Sequence, residues 1–255
     1  MEAGRLDVAE AGFVGIRKKT ARGTRVHLEA TALLAICYLR QNKIEATEPL
    51  MAEVLQREKV ISSEERRKQF VRRVVGRFHE EAALASLRNS GREVLDAGEV
   101  HDQAGELVQS MSEDEILAEV VHALPPSTLA LLLKVDRLAK KGLSPKDVKY
   151  LPTERQLQEE RQLGLTVFGS IKRVLYRSLC DPKSEIYQAW FNQGMMVVLD
   201  KKYFALVVSA ALVNIGASVK ALAVSATALL IKFGLEVYCE RFKPDSVMIA
   251  LGEKD

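Results

Sequence analysis

An all-α fold, a multi-helix bundle with a central apolar helical hairpin near the C-terminus, is predicted by three features of the sequence. Aromatic residues make up only 6% of the 255 positions while Ala and Leu are abundant, a balance that favours helices over sheets. Capping signals recur along the whole chain, each able to satisfy backbone N–H groups that a helix start leaves unpaired. Apolar side chains repeat at steps of three and four through the longer segments, which gathers them on one helix face. With 47% hydrophobic and 28% charged residues, the chain has the composition of a globular protein, and wholesale disorder is excluded.

Taken in order, residues 1–24 carry Gly4, Gly12, Gly15 and Gly23 among basic residues and read as a loose arm with one short helix at most. The run Val26–Leu39 predicts the first full helix. A second is expected to begin at Thr47 as N-cap, with Pro49 in the first turn, where its missing N–H costs little. Ser62 and Glu65 form a capping-box pattern opening a helix in which Phe70, Val71, Val74, Val75, Phe78, Ala82 and Leu87 share a face; it should stop near Asn89 and Gly91.

Residues 92–111 read as an acidic connector, helical in part. Ser112 and Glu115 are a second capping box, starting a helix to Leu124. Pro125-Pro126 then separates it from one over Ser127–Lys141, closed by Gly142. Ser144-Pro145 caps a short helix, and Thr153 with Gln156 opens a long one that Asp181-Pro182 ends. A further helix runs toward Leu199. Around Asp200, the short apolar runs Met195–Leu199 and Tyr203–Val208 fit either a β-hairpin or helices; helices are preferred because the flanking segments exceed strand length. From Tyr203 to Tyr238 the chain is apolar nearly all round, broken at Asn214–Ser218, with Gly216 ending one arm and Ser218 capping the next.

That hairpin is either core or membrane. Its first arm is shorter than the roughly 20 residues a bilayer needs, and its second carries Lys220 and Lys232, so a core hairpin is preferred over a membrane-inserting one similar in pattern to those of pore-forming colicins.

Charge divides the chain into three segments: a basic N-terminal helical region (1–92), an acidic helical connector (93–125) and a C-terminal helical bundle (126–255). Up to Arg92, Lys and Arg outnumber Asp and Glu by 18 to 12, whereas 93–125 holds nine acidic residues and no Lys or Arg. Two cationic clusters stand out as contacts for nucleic acid or an acidic protein partner. The first is Arg17, Lys18, Lys19, Arg22 and Arg25. The second is Arg66, Arg67, Arg72, Arg73 and Arg77. Base readout would also need a recognition helix or exposed aromatics, and Phe70 and Phe78 fall on the apolar face. A helix-turn-helix over Asp147–Gly164 would have Pro152 in its turn.

Little else in the sequence points to chemistry. His27, His79, His101 and His122 are isolated; His79-Glu80-Glu81 begins like a zinc-protease motif, but Ala83 stands where the second histidine belongs. Gly12–Thr20 has the ingredients of a phosphate-binding loop at the wrong spacing. No metal, no cofactor and no catalysis are expected. Cys37, Cys180 and Cys239 are few, odd in number and far apart, which predicts no disulfide framework and fits a reducing cytosol. Met-Glu-Ala-Gly-Arg lacks a secretory pattern, so a cytoplasmic location is expected.

The stretch Ala226–Glu240, reading ATALLIKFGLEVYCE, resembles C-terminal helices of small accessory proteins in prokaryotic defence and CRISPR-associated loci. The resemblance implies an accessory role and transfers no functional residue. The expected function is a non-enzymatic interaction or regulatory protein working through protein–protein contacts. The alternatives are a nucleic-acid-binding accessory protein using the basic N-terminal region, and a membrane-inserting effector using the 203–238 hairpin.

Overall fold

A computed structural model describes residues 5–89, 93–122, 124–184, 187–188, 202–241 and 243. Among them every regular element is helical and there is no strand. The helices are α1 (Leu6–Lys19), α2 (Arg25–Arg40), α3 (Ile44–Gln56), α4 (Glu64–Asn89), α5 (Ala97–Ser110), α6 (Glu113–His122), α7 (Pro126–Gly142), α8 (Pro145–Val148), α9 (Glu154–Gln158), α10 (Glu160–Cys180), α11 (Lys202–Asn214), α12 (Lys220–Phe233) and α13 (Leu235–Arg241); a 3-10 turn, Glu58–Val60, follows α3. The run Met195–Leu199 lies outside the described residues, while Tyr203–Val208 is helical within α11.

The capping signals explain most of the helix starts. The Ser112 backbone N–H donates to Glu115 Oε2 at 2.7 Å while the Glu115 N–H donates to Ser112 Oγ at 3.4 Å, the reciprocal pair of a capping box. Thr153 and Gln156 do the same before α9, and Ser144 Oγ accepts from the Asp147 N–H at the start of α8. Asp96 caps α5 through the Glu99 N–H.

Five boundaries differ from the sequence reading. The segment expected as a loose arm is the 14-residue helix α1, so the glycines of the would-be phosphate loop sit in a helix. Helix α3 starts three residues before Thr47, whose hydroxyl donates to the Lys43 carbonyl; Pro49 therefore lies inside the helix rather than in its first turn. Ser63, not Ser62, meets the Arg66 N–H at the start of α4. Ser218 does not cap α12, whose N-cap is Val219 with no side-chain hydrogen bond. The long helix expected from Thr153 is broken at Glu159, whose extended backbone separates α9 from α10.

The chain divides into two compact units, each discontinuous in sequence, where the charge pattern had cut consecutive segments. Within the described residues, unit 1 comprises 5–85 with Leu129–Leu157. Here α2 packs on both α1 and α3, and Leu34, Ile36, Leu39, Met51, Leu55, Phe70 and Phe78 are fully buried.

Unit 2 draws on Ser86–Thr128 and Gln158–Pro244. Helix α12 touches α5, α6, α11 and α13, and every residue from Leu222 to Leu230 is buried. Backbone at φ +72 for Gly216 and +74 for Gly234 turns the chain before and after α12, in a region side chains avoid. Gly164 of α10 meets α6 so closely that a Cβ there would run into the Leu117 carbonyl. One expectation is overturned outright: Cys180 and Cys239 form a disulfide. Their 59-residue separation gave no sign of it, because only the return of α13 onto α10 brings them together. Cys37 is buried and free, and burial pushes its thiol above the ordinary range.

Among the described residues no single helix is long and apolar enough to cross a membrane. Only α6 and α7 taken together, in the middle of the chain, reach that length and composition among the described residues.

Candidate contact site in unit 1

The ten cations singled out by sequence separate into distinct groups once folded. Arg17 leaves α1 toward the helix pair beneath it, donating through Nε to Thr31 Oγ1 at 2.9 Å and through Nη2 to Glu53 at 2.7 Å. Glu53, on α3, also takes His27 Nε2 at 3.1 Å and Arg57 Nη1 at 3.3 Å. Partial burial raises the Glu53 pKa, but the His27 hydrogen bond and the charges of Arg17 and Arg57 outweigh it and hold the carboxyl below its ordinary range. Arg25 is likewise taken up, by Glu29 one turn on at 2.7 Å.

Arg77 is 4% exposed and does not belong to any solvent-facing basic surface. Its guanidinium bridges Glu80 at 3.0 Å and Glu81 at 2.5 Å. Glu81 is itself 2% exposed and receives Arg40 Nε at 2.9 Å. The pattern placed Arg77 on the basic stripe of α4; the fold turns it inward because two carboxylates one turn away can neutralise it there.

One further carboxylate, fully buried, was not singled out by the sequence. Asp136 of α7 is fully buried and accepts from Lys140 Nζ at 2.6 Å. His79 Nε2 stands 3.4 Å from its other oxygen, too poorly aligned for a hydrogen bond. Desolvation raises the Asp136 pKa, but His79 and Lys140 together keep it below the usual value. Nothing in the spacing of His79 and Asp136 could have paired them.

The remaining arginines of α4 make shorter-range contacts. Arg67 donates to the Ile61 carbonyl at 3.3 Å. Arg66 and Arg73 are half-buried. Arg72 is exposed and lies 5.6 Å from the centroid of the Tyr150 ring, over which Lys68 also sits at 4.8 Å. Tyr150 was not picked out by sequence, although it is the exposed aromatic that a basic surface of this kind would use.

Lys18, Lys19 and Arg22 are the ones left over. They are exposed and make no ion pair among the described residues. They cluster at the corner where α1 hands over to α2, with Thr24 capping the latter through the His27 N–H. Beside them Ile16 and Val26 are 40% and 53% exposed. The corner thus offers three free cations and two large apolar side chains to solvent.

A hollow of about 220 Å3 is lined by Glu48, Ala52, Gln56, Leu138, Lys141 and Gly142, smaller than the roughly 300–1,000 Å3 of ordinary ligand sites. Among the described residues no group of three or more His, Cys, Asp or Glu is placed to hold a metal. No protein-family model, curated protein or solved structure matches this chain.

Proposed function

We propose that this chain is a non-enzymatic helical interaction component that binds an acidic segment of a protein partner at the α1–α2 corner. The observation that carries the reading is the pairing of unneutralised Lys18, Lys19 and Arg22 with the half-exposed Ile16 and Val26. Mixed apolar and cationic surface suits a protein partner. Tight binding to duplex nucleic acid draws instead on some 6–10 phosphate contacts, and the ion pairs of Arg17, Arg25 and Arg77 remove those cations from that total. An accessory or regulatory role in the cytoplasm, of the kind played by the small helical proteins of prokaryotic defence loci, fits this mode of action.

In this reading the α11–α12 hairpin is the inert centre of unit 2 rather than a membrane-entering device. The two lysines that interrupt its apolar run are engaged at the ends of α12, Lys220 Nζ with Glu99 at 2.6 Å and Lys232 Nζ with the Met111 carbonyl.

A nucleic-acid reading is favoured by one observation, the exposed Tyr150 flanked by Lys68 and Arg72, since base stacking and phosphate contact call for that combination. Tagged purification at low salt, with and without nuclease, separates the two. A stoichiometric protein that survives nuclease supports the corner reading. Recovery of nucleic acid that salt strips away, lost in Tyr150→Ala with Arg72→Ala, would replace it.

A further inference from the structure

Helix α13 is only seven residues long, too short to hold its conformation unaided. It joins α12 through Gly234, whose φ of +74 lets the chain fold back. Three things then keep it on unit 2. Leu235 is buried, and Tyr238 is fully buried with its ring edge-on to Phe168 of α10 at 6.4 Å between centroids. The third is covalent: Cys239 is joined to Cys180, the last residue of α10. Cys180 is buried, whereas Cys239 is partly exposed, so an attacking thiolate can reach the disulfide from the α13 side.

We propose that the Cys180–Cys239 disulfide is a redox latch: oxidised, it fastens α13 to α10; reduced by a dithiol, it lets α13 swing away at Gly234 and uncovers the apolar surface around Phe168. The exchange is balanced. One thiolate of the dithiol attacks Cys239 Sγ, and the Cys180 sulfur leaves as a thiolate that takes up a proton. The second thiolate of the reductant then attacks the mixed disulfide, closing a ring and releasing Cys239 as a thiol. Two electrons and two protons pass to the protein, and the reductant leaves as its cyclic disulfide. The helices α6, α10, α11 and α12 keep their own packing, so opening is confined to one end of the unit. This inference is independent of the α1–α2 corner.

The test is hydrogen exchange read by mass spectrometry on the full chain, oxidised and after dithiothreitol, with Cys239→Ser as a second route to the open form. The oxidised protein should show an intact disulfide by mass and slow exchange over 235–241. Reduction, and Cys239→Ser, should speed that segment at least tenfold while 222–230 stays protected, and reoxidation should restore it. Unchanged exchange over 235–241 after reduction would overturn the proposal, as would collapse of protection over 222–230 together with α13, which would make the bond a plain staple. Two free thiols in protein purified under oxidising conditions would overturn it too. Should Cys239→Ser fail to fold, the dithiothreitol series on the native chain decides alone.

Discussion

Unit 1 buries ion pairs within its apolar core, whereas the ion pairs described in unit 2 lie at its surface around an apolar central helix. In unit 1 Glu53 and Glu81 each collect two arginines, one a turn away and one from another helix, and the buried Asp136 holds Lys140 one turn on with His79 of α4 beside it. In unit 2 the middle of α12 is apolar or small from Leu222 to Leu230, and a pair such as Arg161–Asp114 stands in solvent, at 60% exposure on each side. A buried pair is costly to desolvate and costly to break, so it specifies which helices meet more than it adds net stability. An apolar helix needs no such matching and tolerates any partner of the right shape. The two units should therefore fail under different insults, unit 1 under acid or loss of a single charge, unit 2 under truncation of its apolar core.

The largest effect is expected from Glu81→Ala. It removes the carboxylate that Arg40 and Arg77 share in the interior and should destabilise unit 1 by about 3–5 kcal/mol, read as a lowered denaturant midpoint. A change under about 1 kcal/mol would mean that these charges are already hydrated, and the contrast between units would lapse.

Removing the disulfide by Cys180→Ser with Cys239→Ser comes next, at about 2–4 kcal/mol for a loop of this size. It should be felt only in unit 2; an equal loss of protection in unit 1 would break the comparison.

Acid sharpens it further. Glu53 and Asp136 titrate below their ordinary values, so their contribution is present above the unfolded carboxylate range, near pH 4, and is lost as pH falls through the lower folded values. Glu58 runs the other way: burial raises its pKa, so its contribution is present in acid and lost as pH rises through the folded value. Hydrogen bonds from Gln41 and Lys68 also hold Glu10 and Glu64 low in unit 1, as the Ser112 N–H does Glu115 in unit 2. The buried Asp136 and half-buried Glu53 are both in unit 1, however, so it should unfold first as pH drops below 4, which amide exchange resolved by segment would show. Earlier loss of unit 2 would contradict the assignment.

The smallest effect is expected from Arg161→Ala in unit 2 and Arg137→Ala in unit 1. Each removes an exposed pair, and each should cost under about 1 kcal/mol. Equal small losses would show that burial, not membership of a unit, sets the value of an ion pair.

The fold class was legible because its signals are local. Ser112 with Glu115, Ser144 with Asp147 and Thr153 with Gln156 act within one turn, and the structure realises all three. The misreadings have tertiary causes. Gly12 and Gly15 look like loop residues, yet α1 tolerates both because it packs along α2. Cys180 and Cys239 are joined only by the return at Gly234, and His79 of α4 meets Asp136 of α7 far from it in sequence.

For the candidate site the cationic residue types were legible in the sequence, but their fates were not. Lys18 and Arg17 are adjacent and read alike, but the helix period points Arg17 at Glu53 on α3 and Lys18 at solvent. The i,i+3 and i,i+4 carboxylates of Arg77 were visible as spacing; its burial was not.

The most direct test of the interaction reading compares wild type with the triple variant Lys18→Glu, Lys19→Glu, Arg22→Glu in low-salt tagged purification from the native host. Because these side chains are exposed and bear no internal ion pair, the variant should keep its helix content and melting temperature. The account predicts that it loses the stoichiometric, nuclease-resistant protein partner that the wild type retains. A partner held equally well by both would contradict the assignment of the α1–α2 corner.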